Sequence, residues 1–372
     1  MNNTDIYIQN KLNERKSAGT YRALKTERPL TDFCSNDYLG FARSVSLKKN
    51  INNYLERHGD YLNGATGSRS LSGNTAFCEK LEADIATYHD AEAGLIFNSG
   101  YDANLGLFSS LPQRGDTIIT DELIHACIID GSRLSHANRY IFKHNNLGSL
   151  EDKLKHATGN TYVAVESVYS MDGDIAPLNN IVALAAKYNA QVIVDEAHAL
   201  GVFGKGLVNS LNLQDKVFAR VVTFGKALGA HGAIVLGSDM LRQYLINFAR
   251  SFIFTTAASF HQLVTVKMAY EMLKESSARQ QQLSNNIGLF KSLIKTDGKL
   301  IASSSGVQSI IIVGNEKTRQ LAAHLQESGF DVRPILSPSV PAGTERLRIC
   351  LHSFNSEQEI TNLTQLLNTY QA

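Results

Sequence analysis

Gln-Val-Ile-Val-Asp-Glu-Ala-His, residues 191–198, joins a short apolar run to a group of acidic and imidazole side chains. An apolar run of this length without polar alternation is typical of a strand that is buried on both faces, as in a parallel sheet. In an open parallel sheet, ligands bind beyond the carboxyl ends of the strands. The stretch therefore predicts a buried strand that presents Asp195 and His198 as candidate functional side chains.

The same alternation of short strands and helical patterns extends to both sides of this stretch. Helical spacing is clear at 79–88 and 178–188. Further short strands are predicted at 93–97, 117–120, 140–142, 162–165 and 221–224. This rhythm predicts an α/β fold with a mostly parallel central sheet and helices on both of its faces.

The two ends of the chain differ from this central pattern. A charged helix is predicted at 5–18, and the glycine-rich segment 63–74 is predicted to be irregular. The last hundred residues suggest an α+β layer, with one long helix at 261–293, strands at 307–313 and 347–351, and helices at 317–328 and from Glu357. We therefore predict an N-terminal arm (1–48), a large cofactor-binding domain (49–275) and a small C-terminal α+β domain (276–372).

The composition narrows the class of protein. The 372 residues include 36 basic and 35 acidic side chains, for a net charge of +1, which disfavours a nucleic acid or an anionic membrane as the main partner. No apolar run is long enough to span a bilayer, and residues 1–25 lack a signal-like apolar stretch. The four cysteines form no Cys-x-x-Cys pair, which excludes a zinc ribbon and suits a reducing compartment. We expect a cytoplasmic enzyme without a metal site.

Several chemically useful residues follow the predicted strands. Lys226 follows 221–224, His125 follows 117–120, and Ser99-Gly100-Tyr101 opens a helix after 93–97. Each has a structural explanation by itself, as a surface charge, a structural histidine or a turn. Together they suit pyridoxal 5′-phosphate, which needs a lysine for its Schiff base, a carboxylate such as Asp195 for its ring nitrogen and a helix N-terminus for its phosphate.

A set of short motifs in a fixed order strengthens this interpretation. The motifs are NDYLG (36–40), GSR (67–69), SGY (99–101), DELIHA (121–126), SMDGD (170–174), DEAH (195–198), TFGKA (223–227) and GTERLR (343–348). The ordered set covers nearly the whole chain and resembles the α-oxoamine synthase family of fold-type I pyridoxal-phosphate enzymes. Within that family, the residues around Lys226 and the pair Tyr21-Arg22 are similar to the 8-amino-7-oxononanoate synthase branch.

The resemblance implies a role for each matching residue. Lys226 would hold the cofactor and act as the base, Asp195 would bind the ring nitrogen, and His125 would stack on the ring and donate a proton. The remaining implied contacts are His198 and Ser170 at the ring hydroxyl, Ser99, Gly100, Tyr101 and Thr223 at the phosphate, Thr255 and Thr256 from a neighbouring subunit, Arg348 and Asn36 at the amino acid, and Arg22 at the acyl substrate.

The reaction that the resemblance implies is the decarboxylative condensation of L-alanine with a pimeloyl thioester, which gives 8-amino-7-oxononanoate, carbon dioxide and a free thiol carrier. A homodimer with shared sites is also implied. The alternative is a family member that uses serine or glycine with another acyl-CoA, similar to serine palmitoyltransferase or 2-amino-3-ketobutyrate CoA ligase. The sequence leaves open whether the acyl donor is a CoA or a carrier protein.

Two further choices stay open at this point. Arg346 and Arg348 both suit a carboxylate, and because they alternate along one strand they share a face. Cys127 is either a core residue or a thiol near the site. Outside the family, DEAH is also the spelling of a helicase Walker B box, but no Gly-x-x-x-x-Gly-Lys-Ser/Thr loop accompanies it, and no Gly-x-Gly-x-x-Gly supports a Rossmann oxidoreductase.

Overall fold

The structure is a computed structural model that describes residues 2–24, 26, 29–59, 63–295 and 299–371. The chain divides into two compact units. The large unit comprises residues 36–170 and 174–284, and the small unit comprises 1–35, 171–173 and 285–372. The boundaries that the sequence suggested, after residues 48 and 275, stay predictions.

The strands of the described chain form three sheets. They are β1 (Thr31–Asp32), β2 (Ala93–Phe97), β3 (Thr117–Asp121), β4 (Asn138–Phe142), β5 (Thr161–Glu166), β6 (Gln191–Asp195), β7 (Ala219–Thr223), β8 (Ala233–Gly237), β9 (Val307–Ile311), β10 (Phe330–Asp331), β11 (Arg333–Ile335) and β12 (Arg346–Cys350). The large unit holds a seven-stranded sheet in the order β2-β8-β7-β6-β5-β3-β4. The small unit holds the antiparallel sheet β11-β12-β9 and the parallel pair β1-β10.

Helices connect most of these strands. They are α1 (Asn3–Ser17), α2 (Val45–Glu56), α3 (Ala76–Tyr88), α4 (Gly100–Ser110), α5 (Ala126–Leu134), α6 (Leu147–Leu154), α7 (Leu178–Lys187), α8 (Leu207–Ser210), α9 (Asp239–Phe248), α10 (Arg250–Ile253), α11 (Phe260–Lys274), α12 (Ser277–Leu293), α13 (Asn315–Glu327) and α14 (Glu357–Gln371). Within the described residues, no helix is both long and apolar enough to cross a bilayer.

The seven-stranded sheet is covered on both faces, and its strands β3, β5 and β6 are buried at nearly every position. Successive side chains of a strand point to opposite faces. Ile118 and Ile193 accordingly belong to one buried cluster, with Leu107 of α4. Ile119 and Val194 belong to the other. The predicted α/β architecture with helices on both faces is confirmed.

Parallel pairing places the ends of neighbouring strands at one edge. The pairs β3-β4, β3-β5, β5-β6 and β6-β7 are all parallel. Glu166, Asp195 and Thr223 are the last residues of β5, β6 and β7 at the carboxyl edge. Glu166 lies opposite Asp195, and Thr223 lies two residues beyond Val221, the partner of Asp195. This edge carries the site described below.

Two local expectations were wrong, and one strand was not anticipated. The predicted single helix at 261–293 is two helices, α11 and α12, separated at Glu275 and Ser276; Gln280 N–H donates to the Ser276 carbonyl and begins α12. The sheet also contains β8, which the sequence reading did not identify and which runs antiparallel to both neighbours.

The glycine-rich segment is the third exception, because residues 69–73 form one π-helical turn. Gly73 N–H donates to the Ser68 carbonyl across this turn, at 2.9 Å. A Cβ at Gly73 would approach the Gly67 carbonyl oxygen and Ala257 Cβ to 2.5 Å. A glycine is therefore required where the turn closes on its own backbone.

Candidate active site

A cavity of about 250 Å³ opens at the carboxyl edge of the large unit's sheet. Several separate loops contribute side chains and backbone to it. The sequence analysis singled out many of these residues because they follow predicted strands. Its lining comprises Asn36, Ser99, Gly100, Tyr101, Asn104, His125, Cys127, Glu166, Asp195, Ala197, Thr223, Gly225, Lys226, His231 and Gly232.

Asp195 is held rigidly at the end of β6. Its Oδ1 accepts the Ala197 N–H at 2.9 Å, and its Oδ2 accepts the Asn104 side-chain N–H at 2.7 Å. The carboxyl is 6% exposed, so both bonds are shielded from water. This geometry fixes an acceptor oxygen at the cavity, which is what a protonated ring nitrogen needs.

Lys226 borders the same cavity as Asp195. It follows β7 in a tight loop, in which Gly229 N–H donates to the Lys226 carbonyl and Ala230 N–H donates to the Phe224 carbonyl, both at 2.9 Å. An amine and a carboxylate can therefore reach one ligand. This pairing is the central requirement of the cofactor that the sequence suggested.

The N-terminus of α4 forms another part of the lining. Ser99 caps the helix through its hydroxyl, which accepts the Asp102 N–H. The first helical bond runs from Ala103 N–H to the Ser99 carbonyl, so the amides of Gly100 and Tyr101 precede the helical ladder. These amides and the helix dipole suit an anion. A Cβ at Gly100 would meet Thr223 Cγ2 at 2.5 Å, so glycine lets β7 approach the helix start.

His125 caps α5 and lines the cavity. Its Nδ1 accepts the backbone N–H of Cys127 at 3.3 Å and lies 2.9 Å from the Cys127 sulfur. Burial and the nearby Lys226 ammonium lower the pKa of His125, against the opposing charge of Asp195. The imidazole is thereby favoured in its neutral form.

Cys127 answers the choice that the sequence left open, because it is both buried and part of the lining. Its sulfur accepts an N–H from Asn104 at 3.2 Å. Burial and the charge of Asp195 raise the pKa of the Cys127 thiol, so the group remains protonated at neutral pH.

His198 and Ser170 are not among the lining residues. His198 is buried, and its Nδ1 lies 2.7 Å from the hydroxyl of Tyr38, which also bonds Asn36 Oδ1 at 3.2 Å. His198 thus reaches the lining residue Asn36 through one tyrosine. Ser170 donates its backbone N–H to Glu166 Oε2 at 3.1 Å.

Thr255 and Thr256 border a separate small recess of the large unit. The Asn98 side chain donates to Thr255 Oγ1 at 3.0 Å and to the Thr256 carbonyl at 2.9 Å. The structure does not bring these threonines into the cavity of their own chain.

The predicted substrate residues Arg22 and Arg348 belong to the small unit. Arg22 is exposed and donates to Ser339 Oγ at 3.4 Å. Arg346 and Arg348 follow β12 in alternation, as expected, but their environments differ. Arg346 is 5% exposed and forms an ion pair with Asp172, whereas Arg348 is half-buried and donates to Cys350 Sγ at 3.0 Å.

Sequence reasoning did not include Asn104, Glu166 or Tyr38 among the site residues. Glu166 ends β5 as Asp195 ends β6, so its position after a strand was a usable signal. Asn104 lies four residues after Gly100 on α4, so it faces the same side of the helix. Tyr38 is recognisable only from the folded chain, because its hydroxyl meets His198 across 160 residues.

The second acidic residue of the DEAH string has a structural role. Glu196 is fully buried, and its Oε1 accepts the Val208 N–H at 2.9 Å in the first turn of α8. Burial raises the pKa of Glu196 to about 7, against the effect of that hydrogen bond. The string therefore supplies two lining residues of the cavity, Asp195 and Ala197, and one helix-capping residue, Glu196.

Comparison with known proteins gives consistent matches over most of the chain. Residues 28–367 match the family model "Aminotransferase class I and II". An 8-amino-7-oxononanoate synthase of Emericella nidulans is 42% identical, with 91% of this chain and 89% of that protein covered. A crystal structure of 8-amino-7-oxononanoate synthase from Francisella tularensis is 30% identical, with 91% and 97% covered and a TM-score of 0.78. Serine palmitoyltransferase of Sphingomonas wittichii is 27% identical, with 97% and 96% covered and a TM-score of 0.88.

Proposed function

The chain belongs to the α-oxoamine synthases within the class I and II aminotransferase family, and from this we propose that it condenses L-alanine with a pimeloyl thioester. The products would be 8-amino-7-oxononanoate, carbon dioxide and the free thiol of CoA or a carrier protein, a step of biotin biosynthesis. The observation that carries the proposal is that Lys226, Asp195 and the N-terminus of α4 line one cavity.

The donor set of this cavity fits pyridoxal 5′-phosphate. Asp195 offers an acceptor that two hydrogen bonds hold in place, and Lys226 offers a primary amine. At its positive end, α4 offers the amides that precede its hydrogen-bond ladder. When bound, this cofactor supplies an electron sink that stabilises negative charge on the carbon next to the substrate nitrogen. The family relationship and the donor set support the same cofactor independently.

Each of these polar residues is then proposed to have a role in the reaction. Lys226 would hold the cofactor through its amine and, as a free amine, would act as the base that takes up the α-proton of the amino acid. Asp195 keeps the ring nitrogen protonated, and the amides of Gly100 and Tyr101, with Ser99 and Thr223, hold the phosphate. His125 would lie against the ring and donate a hydrogen bond from its neutral imidazole to the acyl oxygen.

The remaining contacts are proposed from the resemblance to the family. His198 and Ser170 are proposed to bond the ring hydroxyl, with Tyr38 orienting His198. Arg348 is proposed to pair with the substrate carboxylate, because Arg346 is already paired with Asp172. Asn36, a lining residue of the cavity, is proposed to contact the amino acid. Arg22 is proposed to contact the acyl substrate.

The assembly and the compartment are proposals of the same kind. Thr255 and Thr256 lie outside the cavity of their own chain, and they would complete the phosphate site of a partner in a homodimer. None of the four cysteines, all of which lie within the described residues, forms a disulfide, which supports a reducing compartment such as the cytoplasm.

The choice of substrate is supported by sequence identity. The 8-amino-7-oxononanoate synthase of E. nidulans is 42% identical, whereas serine palmitoyltransferase of S. wittichii is 27% identical. The fold comparison gives the opposite order. The serine palmitoyltransferase of S. wittichii has a TM-score of 0.88, and the 8-amino-7-oxononanoate synthase of F. tularensis has a TM-score of 0.78. A serine- or glycine-using synthase with another acyl-CoA is therefore the second candidate.

Cofactor binding is tested by adding pyridoxal phosphate to the purified full chain. The protein should become yellow, and borohydride reduction should leave the cofactor on the peptide that contains Lys226. Lys226→Ala should stay colourless after dialysis. Lys205→Ala is the matched control, because Lys205 is a partly exposed lysine of the same unit that pairs with Asp90 at 2.8 Å. A wild-type protein that takes up no cofactor would overturn the proposal.

Substrate choice is tested by offering alanine, serine and glycine, each with pimeloyl-, palmitoyl-, acetyl- and succinyl-CoA. The release of free thiol and of carbon dioxide measures condensation. Turnover with alanine and pimeloyl-CoA is expected to exceed the other combinations. Condensation with serine or glycine but not with alanine would show that the proposed substrate is wrong. The assignment to the α-oxoamine synthases would still hold.

A further inference from the structure

Four side chains that line the cavity form a continuous hydrogen-bonded row. Asn104 donates one amide hydrogen to Asp195 Oδ2 at 2.7 Å and the other to Cys127 Sγ at 3.2 Å. Cys127 Sγ lies 2.9 Å from His125 Nδ1. The row thus links the carboxylate at the end of β6 with the histidine that caps α5.

The orientation of the Asn104 amide is fixed by its partners. A carboxylate oxygen accepts hydrogen bonds, so the Asn104 group that faces Asp195 is the NH₂ and not the carbonyl. Asn104 is 1% exposed, and within the described chain its Oδ1 has no partner. Because both amide hydrogens are used, the residue cannot rotate without losing two buried bonds.

The direction of the remaining bonds follows in the same way. The backbone N–H of Cys127 donates to His125 Nδ1 at 3.3 Å, a long bond that favours a lone pair on this nitrogen without fixing it by itself. The Cys127 thiol retains its proton because burial raises its pKa, and its sulfur accepts from Asn104. The S–H therefore donates to Nδ1, and the proton of the neutral imidazole lies on Nε2.

We propose that Asn104 and Cys127 are positioning residues that hold His125 as its Nε2–H tautomer and tie the orientation of its ring to Asp195. The proposal rests on the proposed function for the roles of His125 and Asp195. With Nδ1 occupied, Nε2–H is the ring's remaining polar group. His125 then presents a hydrogen-bond donor, which suits the oxygen of an acyl group.

The proposal explains why a thiol suits position 127. A hydroxyl at the same place also accepts from Asn104 and donates to Nδ1, so serine should preserve the row. Alanine removes the side-chain link and keeps the backbone N–H. The two substitutions are similar in size, so they separate the hydrogen bond from the packing.

The direct test is the tautomer of His125 in the full chain, measured from ring nitrogen chemical shifts after ¹⁵N-histidine labelling. His125→Asn identifies the signal among the eleven histidines. Wild type and Cys127→Ser should show protonated Nε2, whereas Cys127→Ala should shift toward a mixture of tautomers. Protonated Nδ1 in the wild type, or an unchanged tautomer in Cys127→Ala, would overturn the proposal.

A kinetic test uses the holoenzyme. Loss of one hydrogen bond predicts a decrease in kcat of about three- to tenfold for Cys127→Ala, with little change in KM for the amino acid. Cys127→Ser should restore kcat to within about twofold. A serine variant as slow as the alanine variant would contradict the positioning role.

The two proposals fail separately. If the wild type binds no pyridoxal phosphate, the proposed function is wrong, and the tautomer of the cofactor-free chain still tests the row. If the cofactor binds and the tautomer is insensitive to residue 127, the row has no positioning role and the proposed function stands.

Discussion

Glu166 and Asp195 lie directly opposite each other at the ends of the parallel strands β5 and β6. Both line the cavity, and their exposed fractions are only 3% and 6%. Burial and the neighbouring charge of Asp195 raise the pKa of Glu166, against the opposite effect of Lys226. One of two adjacent buried carboxyls is therefore favoured as the neutral acid, and the fixed acceptor role of Asp195 assigns the proton to Glu166.

The first prediction follows from this neutral form. Glu166→Gln replaces a protonated carboxyl with a neutral group of similar shape, whose oxygen can still accept the Ser170 N–H. We expect cofactor affinity and kcat to stay within about threefold of wild type. Absorbance titration with pyridoxal phosphate and steady-state kinetics measure both. A loss greater than about thirtyfold, or more than 2 kcal/mol, would mean that Glu166 acts as an anion.

A second prediction concerns His144, which lies between two carboxylates of the large unit. Its Nδ1 is 2.9 Å from Asp121 Oδ1, and its Nε2 is 2.7 Å from Asp174 Oδ2. Burial disfavours the charged ring, but these hydrogen bonds outweigh it and raise the pKa of His144 to about 9. The ring is therefore charged in the folded protein at neutral pH.

The sign of the pH dependence follows from this raised pKa. Because the folded pKa exceeds the unfolded value of about 6.5, the stabilisation is complete below pH 6.5 and is lost as the pH rises through 9. Thermal unfolding between pH 6 and 10 should show this loss. His144→Gln should lower the free energy of unfolding by about 2 kcal/mol at pH 6.5 and by much less at pH 10. Equal effects at both values would contradict the charged ring.

The parts of the fold that the sequence predicts are those with a local cause in the chain. The strand β6 and the placement of Asp195 and Lys226 at a sheet edge follow from short apolar runs and from the rule for parallel sheets. The strand β8 was missed because its five apolar residues come soon after β7 and carry no signal of their direction. The division between α11 and α12 has no Gly or Pro to mark it.

The contacts of the cavity depend on tertiary structure to a greater degree. Asn104 lies within a helix, and its partners Asp195 and Cys127 are 91 and 23 residues away. No local pattern distinguishes it from an ordinary buried amide. The ion pair between Arg346 and Asp172 also joins residues far apart in the sequence. It distinguishes Arg346 from Arg348, which the sequence could not do because both lie on the same face of β12.

A third prediction tests the close approach of β7 to α4. Gly100→Ala places a Cβ 2.5 Å from Thr223 Cγ2, so either the helix start or Thr223 must move. Both are proposed to hold the phosphate, and we expect the affinity for pyridoxal phosphate to fall by about tenfold or more.

The control for this prediction is a glycine without close neighbours. Gly288 is a residue of α12, and a Cβ there has nothing within 4 Å. Gly288→Ala should keep the affinity and raise stability by up to about 1 kcal/mol, as expected for a helix interior. Absorbance titrations and thermal unfolding of both variants make the comparison. Unchanged affinity in Gly100→Ala would show that the phosphate is bound elsewhere.

The last prediction separates the two arginines of β12. Arg346 is buried against Asp172, and removing it leaves a carboxylate of low exposure without its ion pair. Arg346→Ala should therefore destabilise the small unit by about 3 kcal/mol, which thermal unfolding measures. Arg348→Ala should leave stability within about 1 kcal/mol and raise KM for the amino acid by about a hundredfold, because a charge-assisted pair with the carboxylate is lost. Arg348→Lys should recover only part of that loss, since a lysine cannot form the planar two-bond contact. The opposite pattern, with KM raised by Arg346→Ala and unchanged by Arg348→Ala, would transfer the carboxylate to Arg346.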